Sequence, residues 1–285
     1  MDKLANFCYN SKTEFLKNKM TKQFDLIVIG HISYDENNTF FGTKTVPSGA
    51  AYLVALPASI YSKKIGVVAR VGEDYDLENL KKLKIDLNGI KVIPGGKTTR
   101  FYHNYKTKNG SIRNFKAELN VGVDLCPNDI PTDYLNSKFI HIATMPPHQQ
   151  KKFIDFLKSK TKAKLSIDTL EQYVQQWPKK VLQNFSLVDL IFIDKREKKL
   201  IGALKRKNVV IKKGADGAEC FYNNRVIKIV APRVKVVDKT GAGDVLAGVF
   251  LILLAKGKKP VFALKEAVNL ASKSVTQFGI DFLLE

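Results

Sequence analysis

The chain has 285 residues, of which 45% are hydrophobic and 26% are charged, as in ordinary globular proteins. No apolar run approaches the roughly 18 to 20 residues that span a bilayer, so neither an integral membrane protein nor a disordered chain is expected. The formal net charge is +20, and a basic surface attracts nucleic acid, anionic membranes and phosphorylated ligands alike.

The basic residues are mostly lysine. Of the 47 basic side chains, 40 are lysine and 7 are arginine, whereas nucleic-acid readers favour arginine for bidentate and stacking contacts. The lysines are also spread along the whole chain. We therefore interpret the charge as solvated surface, with no specific nucleic-acid partner and no membrane partner. A functional polyanion surface is the alternative.

The cysteines and the N-terminal segment bear on location. Cys8, Cys126 and Cys220 lie far apart, without the spacing of a zinc site or a disulfide framework. Residues 1–24 carry charges throughout and have no apolar core of signal-peptide length. The sequence therefore predicts a cytoplasmic protein, with an N-terminal extension over 1–24 and one domain over 25–285.

Short apolar runs alternate with amphipathic segments from residue 25 onward. The predicted strands are Asp25–Gly30, Ile65–Gly72, Phe139–Ala143, Lys164–Asp168, Leu187–Asp194 and Asn208–Lys212. The predicted helices are Gly49–Ser62, Leu77–Leu83, Phe153–Leu157 and Val245–Ala255. This alternation is typical of a doubly wound α/β fold with a mostly parallel sheet.

Two stretches depart from the alternation, at residues 36–46 and 98–118. Both alternate polar and aromatic residues, and the second contains Asn109-Gly110, a hairpin turn sequence. We expect them to form a small β lid over a cleft at the strand ends, where α/β sheets bind ligands. A hairpin with no contact to ligand is the alternative.

The segment Val236–Phe250 places apolar residues before a turn of small residues and an apolar helix. Gly241, Ala242 and Gly243 let the backbone approach a ligand, and amides at a helix N-terminus bind anions such as a transferring phosphate. Asp244 follows this anion hole, and its carboxylate can take the proton from an attacking alcohol. The segment predicts phosphoryl transfer to a hydroxyl, and a plain helix cap by an aspartate is the alternative.

The sequence DKTGAGD at Asp238–Asp244 resembles the C-terminal signature of the ribokinase-like (PfkB) carbohydrate kinases. Further matches follow in the family's order, and the resemblance covers most of residues 25–282. They are the first-strand turn Gly30–Asp35, the substrate loop Pro47–Ala51, the V-G-x-D segment Val68–Asp74, the nucleotide loop Val210–Gly217 and the late helix Ala267–Gly279. The resemblance implies the ribokinase-like α/β fold with a β lid.

The same resemblance implies an ATP-dependent kinase with magnesium carried on the ATP phosphates. The implied site residues are Asp244 as general base; Gly241, Ala242 and Gly243 as anion hole; Asp35, Ser48 and Gly49 for substrate; Lys212, Gly214, Gly217 and Asn269 for nucleotide; Asp194 and Glu197 for the magnesium-linked element; and Asp238 and Thr240 for a monovalent cation such as potassium.

The chain departs from the family pattern at three places. Tyr52 and Leu53 stand where an asparagine often contacts the sugar. The Asn-x-x-Glu element appears as Asp194-Lys-Arg-Glu197, which exchanges an amide for a second acid. Lys239 replaces a small residue, and either reaches phosphate or points to water. These departures bear on substrate and metal handling more than on the transfer step.

A sugar or sugar-like polyol is the leading acceptor, and a nucleoside is the alternative. Tyr52, Leu53 and the lid aromatics offer a flat apolar surface for a nucleoside base; those aromatics are Phe40, Phe41, Phe101, Tyr102 and Tyr105. A catalytically silent relative that binds ligand or polyanion is a third hypothesis. A homodimer that forms through the lid is compatible with the family resemblance. None of the four histidines is assigned a catalytic role, because a carboxylate already supplies the base.

Overall fold

The computed structural model describes residues 23–105, 113–202, 204, 208–279 and 281–283. The strands are β1 (Phe24–Ile29), β2 (Ser33–Thr39), β3 (Gly42–Ser48), β4 (Ile65–Gly72), β5 (Asp86–Ile93), β6 (Thr99–Tyr105), β7 (Arg113–Glu118), β8 (Ser137–Ile142), β9 (Lys164–Ile167), β10 (Leu190–Asp194), β11 (Asn208–Lys212), β12 (Ala218–Tyr222) and β13 (Arg225–Ile229). The α-helices are α1 (Ala50–Ala58), α2 (Glu78–Lys82), α3 (Pro147–Lys160), α4 (Glu171–Gln176), α5 (Pro178–Ser186), α6 (Lys195–Ile201), α7 (Ala242–Ala255) and α8 (Pro260–Ser274).

Nine strands form the central sheet, in the order β13-β12-β11-β10-β9-β8-β1-β4-β5. The strands from β11 to β5 pair in parallel, and β12 and β13 add two antiparallel strands at one edge. The strand order reverses beside β1, where β4 lies on one side and β8 on the other. In α/β sheets the crevice at such a switch point is the usual ligand site.

Apolar side chains cover both faces of this sheet, as its buried parallel strands require. One face packs against α1, α7 and α8, and the other against α3, α4 and α5. Helix α7 is apolar on nearly every side, with 10 of its 14 residues buried. The predicted doubly wound, mostly parallel α/β fold is confirmed.

The second sheet has the order β3-β2-β6-β7, and we call it the lid sheet. It contains most of the two segments predicted at 36–46 and 98–118, although β2 already begins at Ser33 and β3 continues to Ser48. Side chains alternate between its faces: Ser33, Asp35 and Asn37 of β2 are buried. The predicted Asn109-Gly110 turn lies outside the described residues.

Several elements differ from the sequence prediction. Helix α3 starts six residues before the predicted Phe153, and β5, β12 and β13 were not predicted. Strands β5 and β13 lie at the two edges of the central sheet and β12 lies next to β13, and polar residues interrupt the apolar pattern of all three. Residues 1–22 lie outside the description, so the N-terminal extension stays a prediction. No helix among the described residues is long and apolar enough to cross a membrane.

Candidate active site

The first turn of α7 has the geometry of an anion site. Gly241 caps the helix with a φ of 75°, a left-handed conformation that glycine adopts without strain, and a Cβ there would collide with Leu53 of α1. The amides of Gly243 and Asp244 lie in this first turn, where the helix itself offers no acceptor. The positive end of the helix dipole adds to their attraction for a negative group.

Asp244 stands in this turn with an unusual acidity. Loss of water around the carboxyl group, reinforced by the charges of Asp168 and Asp35, raises its pKa to about 7, although Lys212 acts in the opposite direction. A general base is most effective when its pKa lies near the working pH. The arrangement can therefore accept a proton next to a bound phosphate.

Lys212 and Asp168 form an ion pair beside the same turn. Nζ of Lys212 donates to the two carboxylate oxygens of Asp168 at 2.8 and 2.6 Å. The Lys212 side chain is 16% exposed and that of Asp168 is 1% exposed. A Cβ added to Gly243 would lie 3.1 Å from Nζ. Asp168 was not among the site residues predicted from sequence, although a carboxylate at the carboxyl end of a parallel strand indicates a ligand site.

Asp35 is held at the root of the lid sheet. Its carboxylate accepts hydrogen bonds from Ser33 Oγ at 2.5 Å and Ser48 Oγ at 2.8 Å, and lies 3.1 Å from Nε2 of His103. Gly49 follows Ser48 with a φ of 98°, and a Cβ there would lie 2.5 Å from the His31 carbonyl oxygen. The structure thus brings the three predicted substrate residues together around one buried carboxylate.

His103 is a candidate site residue that sequence reasoning missed. It is buried on the inner face of the lid sheet, among the rings of Phe101, Tyr105 and Phe115. Its Nδ1 and the Oδ1 of neighbouring Asn37 are buried and have no hydrogen-bond partner among the described residues. Unpaired buried polar atoms are costly, so a ligand that bonds to them gains affinity. The strand alternation could have placed His103 beside Phe101 on one face.

Two polar contacts join the lid sheet to the loop before α7. Asn37 Nδ2 donates to Asp238 Oδ2 at 2.7 Å, and the hydroxyls of Tyr105 and Thr240 lie 2.6 Å apart. The other Asp238 oxygen accepts from the Thr240 amide at 2.8 Å. A monovalent cation at this point would share oxygens that already accept hydrogen bonds, and the potassium site stays a prediction.

Some of the aromatic residues proposed for a nucleoside base do not face the site. Tyr52 is 1% exposed within the core, where its hydroxyl accepts from Asn79. Tyr102 lies on the outer face of the lid sheet, bonded to Glu118. The strand alternation that turns Phe101 inward necessarily turns its neighbour outward. The expectation is therefore wrong for Tyr52 and Tyr102, and stays a prediction for Phe101 and Tyr105. Phe40 and Phe41 are exposed at the β2–β3 turn.

Asp194 and Glu197 form a reciprocal cap at the start of α6. Asp194 Oδ1 accepts from the amides of Arg196 and Glu197, and Glu197 Oε2 accepts from the Asp194 amide. Burial raises the pKa of Glu197 to about 8. No cluster of three or more metal-binding side chains occurs among the described residues. Each carboxylate keeps one oxygen outside the cap, which fits magnesium carried by nucleotide phosphates and its own waters.

The remaining predicted nucleotide residues lie near the antiparallel edge of the sheet. Gly214 and Gly217 form the turn between β11 and β12, both with positive φ. Asn269 is exposed on α8, which packs against β12 and β13. Their role toward nucleotide stays a prediction.

Comparison with known proteins places the chain among kinases. The family described as pfkB family carbohydrate kinase matches residues 19–285. The cytidine kinase of Thermococcus kodakarensis is 31% identical over 268 residues, which cover 86% of this chain and 92% of that protein. The 2-dehydro-3-deoxygluconokinase of Thermoproteus tenax is 24% identical over 263 residues, which cover 80% of this chain and 78% of that protein.

The fold has close matches among solved structures. One is an E. coli structure described as a ribokinase II in complex with ATP and Mg²⁺; it has a TM-score of 0.74 and 19% identity, and the match covers 90% of this chain and 94% of that chain. At this identity the likeness concerns the fold. The family match over nearly the whole chain classifies the protein, and the structural likeness agrees with it in fold. The protein belongs to the pfkB family of carbohydrate kinases and is a kinase of sugars or nucleosides.

Proposed function

We propose that the protein transfers the γ-phosphoryl group of ATP to a hydroxyl group of a nucleoside. The observation that carries the transfer step is the position of Asp244, a carboxyl group with a pKa of about 7, in the first turn of α7. ATP as donor is supported by the family and by the E. coli relative that holds ATP and Mg²⁺.

In the proposed step the acceptor oxygen attacks the γ-phosphorus, and its proton moves to a carboxylate oxygen of Asp244. The new O–P bond forms as the bond to the β,γ-bridging oxygen breaks, and that oxygen leaves with the electron pair on ADP. The first-turn amides of α7 hold the negative charge of the transferred group. Magnesium bound with ATP would supply further charge neutralisation, and Asp194 and Glu197 would hold its waters.

A nucleoside is favoured over a free sugar by two observations. The cytidine kinase of Thermococcus kodakarensis is the relative with the higher identity of the two compared above. Phe101 and Phe115 lie with ring centroids 5.5 Å apart beside His103, on the lid face that also carries Asp35. This surface suits a flat base, and Asp35 suits ribose hydroxyls, because its three hydrogen bonds leave about one of four lone-pair sites open.

A sugar or sugar acid is the second candidate, supported by the Thermoproteus tenax relative. The test is an acceptor panel of cytidine, uridine, adenosine, inosine, ribose, fructose and a deoxysugar acid, each incubated with Mg·ATP. Products are identified by mass spectrometry, with Asp244→Asn as the matched control. We expect a nucleoside monophosphate from the wild type. Phosphorylation of sugars alone would show that the acceptor is a sugar and not a nucleoside. ATP turnover that no acceptor stimulates would overturn the proposed function.

A further inference from the structure

We propose that Lys212 is a catalytic residue that donates a hydrogen bond to the γ-phosphoryl group during transfer, and that Asp168 positions it. This inference rests on the proposed function and adds a contact to the transferred group. The family resemblance of the loop Val210–Gly217 implies only that Lys212 contacts the nucleotide. The position of its ammonium group is more specific.

The ammonium group lies against the anion-binding turn. A Cβ added to Gly243 would lie 3.0 Å from Cδ and 3.1 Å from Nζ of Lys212, so the lysine fills the space that the glycine leaves. Gly243 is the second residue of α7, whose first-turn amides have no acceptor within the helix. Lys212 therefore adds a full positive charge beside amides that already favour an anion.

Asp168 fixes the direction of this charge and leaves a donor available. Two N–H groups of Lys212 point to the two Asp168 oxygens, at 2.8 and 2.6 Å. An ammonium group has three N–H donors, so one remains for a ligand. A carboxylate that holds two donors also fixes the side chain in one orientation, which removes its rotational freedom before substrate binds.

Stability alone does not explain this pair. A buried ion pair is often no more stabilising than two apolar side chains of similar size, because both charges lose their water. The pair lies at the carboxyl ends of β9 and β11, where α/β sheets bind ligands. A role toward an incoming anion accounts for both the desolvated charge pair and its position.

The transferred group carries negative charge on three oxygens, and a fixed donor in a water-poor site stabilises that charge. Removal of one such donor typically lowers kcat by about 10² to 10³. Lys212→Met alone would leave Asp168 buried and unpaired, which is strongly destabilising. The decisive variant is therefore the double substitution Asp168→Asn/Lys212→Met, which removes both charges together.

The chain offers a matched control at the opposite end of the same sheet. Lys138 lies 2.7 Å from Asp25, whose side chain is 5% exposed, at the amino ends of β8 and β1. We expect Asp168→Asn/Lys212→Met to fold and to lose about 10² to 10³ in kcat, with a nearly unchanged acceptor KM. Asp25→Asn/Lys138→Met should keep kcat within about threefold of the wild type.

A kcat within about threefold of the wild type in the folded Asp168→Asn/Lys212→Met variant would overturn the proposal and leave the proposed function standing. Absence of acceptor phosphorylation by the wild type would instead remove the proposed function. If the double variant does not fold, a binding measurement on a single variant tests the proposal instead. Asp168→Asn keeps an amide oxygen that accepts from the Lys212 ammonium but removes the competing negative charge, so affinity for ATP relative to ADP should rise about tenfold by calorimetry. An unchanged ratio would show that Lys212 does not reach the γ-phosphate.

Discussion

The acidity of Asp244 predicts how catalysis depends on pH. With a pKa of about 7, only about one tenth of the molecules carry the ionised base at pH 6, against about nine tenths at pH 8. We therefore expect kcat/KM for the acceptor to fall about tenfold per pH unit below 6 and to level off above about pH 8. An ordinary aspartate would keep its full activity down to about pH 5.

The assay is initial-rate ADP release at saturating Mg·ATP and constant ionic strength, with circular dichroism at each pH to verify folding. Asp244→Asn should lower kcat by about 10² to 10⁴ and abolish the acidic limb that Asp244 produces. A wild-type profile that stays level down to about pH 5, or near-normal turnover by Asp244→Asn, would refute the assignment of Asp244 as a base with a raised pKa.

The same pKa has a consequence for stability with a definite sign. Between about pH 4 and 7 the unfolded chain has released the Asp244 proton while the folded protein retains it, so the free energy of unfolding declines as pH rises. Asp244→Asn lacks this penalty. Its stability advantage over the wild type should grow across this interval, to at most about 4 kcal/mol above pH 7. Thermal unfolding of both proteins at pH 4 and pH 8 measures this advantage. An equal stability difference between variant and wild type at the two pH values would contradict the prediction.

Three further predictions concern the lid sheet, its root and the charged surface. Phe101→Ala should raise the acceptor KM about tenfold with ATP KM unchanged, while Tyr102→Ala on the outer face should alter neither; equal effects of the two variants in steady-state kinetics would contradict the inner-face assignment. Gly49→Ala should lower the free energy of unfolding by about 1 to 3 kcal/mol in urea titrations, because φ is 98° there, and an unchanged midpoint would oppose this. Binding to duplex DNA should be non-specific and lost steeply with salt in fluorescence anisotropy, whereas sequence-selective binding at physiological salt would contradict the interpretation of the lysines as solvated surface.

The turn at the start of α7 could be predicted from sequence because its parts are contiguous in the chain. Gly241 to Asp244 carry the turn, the amides and the carboxyl group within four residues, so their spacing indicated an anion site beside a carboxylate. The Asp168–Lys212 pair spans 44 positions, and His103 meets Asp35 across 68. Such contacts depend on strand order and register, which a single sequence leaves undetermined.

The faces of the lid sheet show the same limit at short range. Phe101 and Tyr102 are adjacent aromatic residues with similar strand preference, and only pairing of β6 with β2 decides which of them faces the cleft. The apolar runs of the central strands, in contrast, are buried on both sides, so their pattern predicts their position directly. The sequence therefore predicts the position of strands that are buried on both sides, but it does not predict which of two neighbouring side chains faces the cleft.

In the proposed reaction, a phosphoryl group passes from ATP to an acceptor hydroxyl beside Asp244. Phosphorus NMR of the protein with Mg·ATP and cytidine tests it most directly, because it follows the γ-phosphate and the product together. We predict that the ATP γ-signal is replaced by a phosphomonoester signal in equal amount to the ADP formed, and that Asp244→Asn nearly abolishes the exchange. Release of inorganic phosphate in place of the phosphomonoester, or equal product formation by folded Asp244→Asn, would contradict the account.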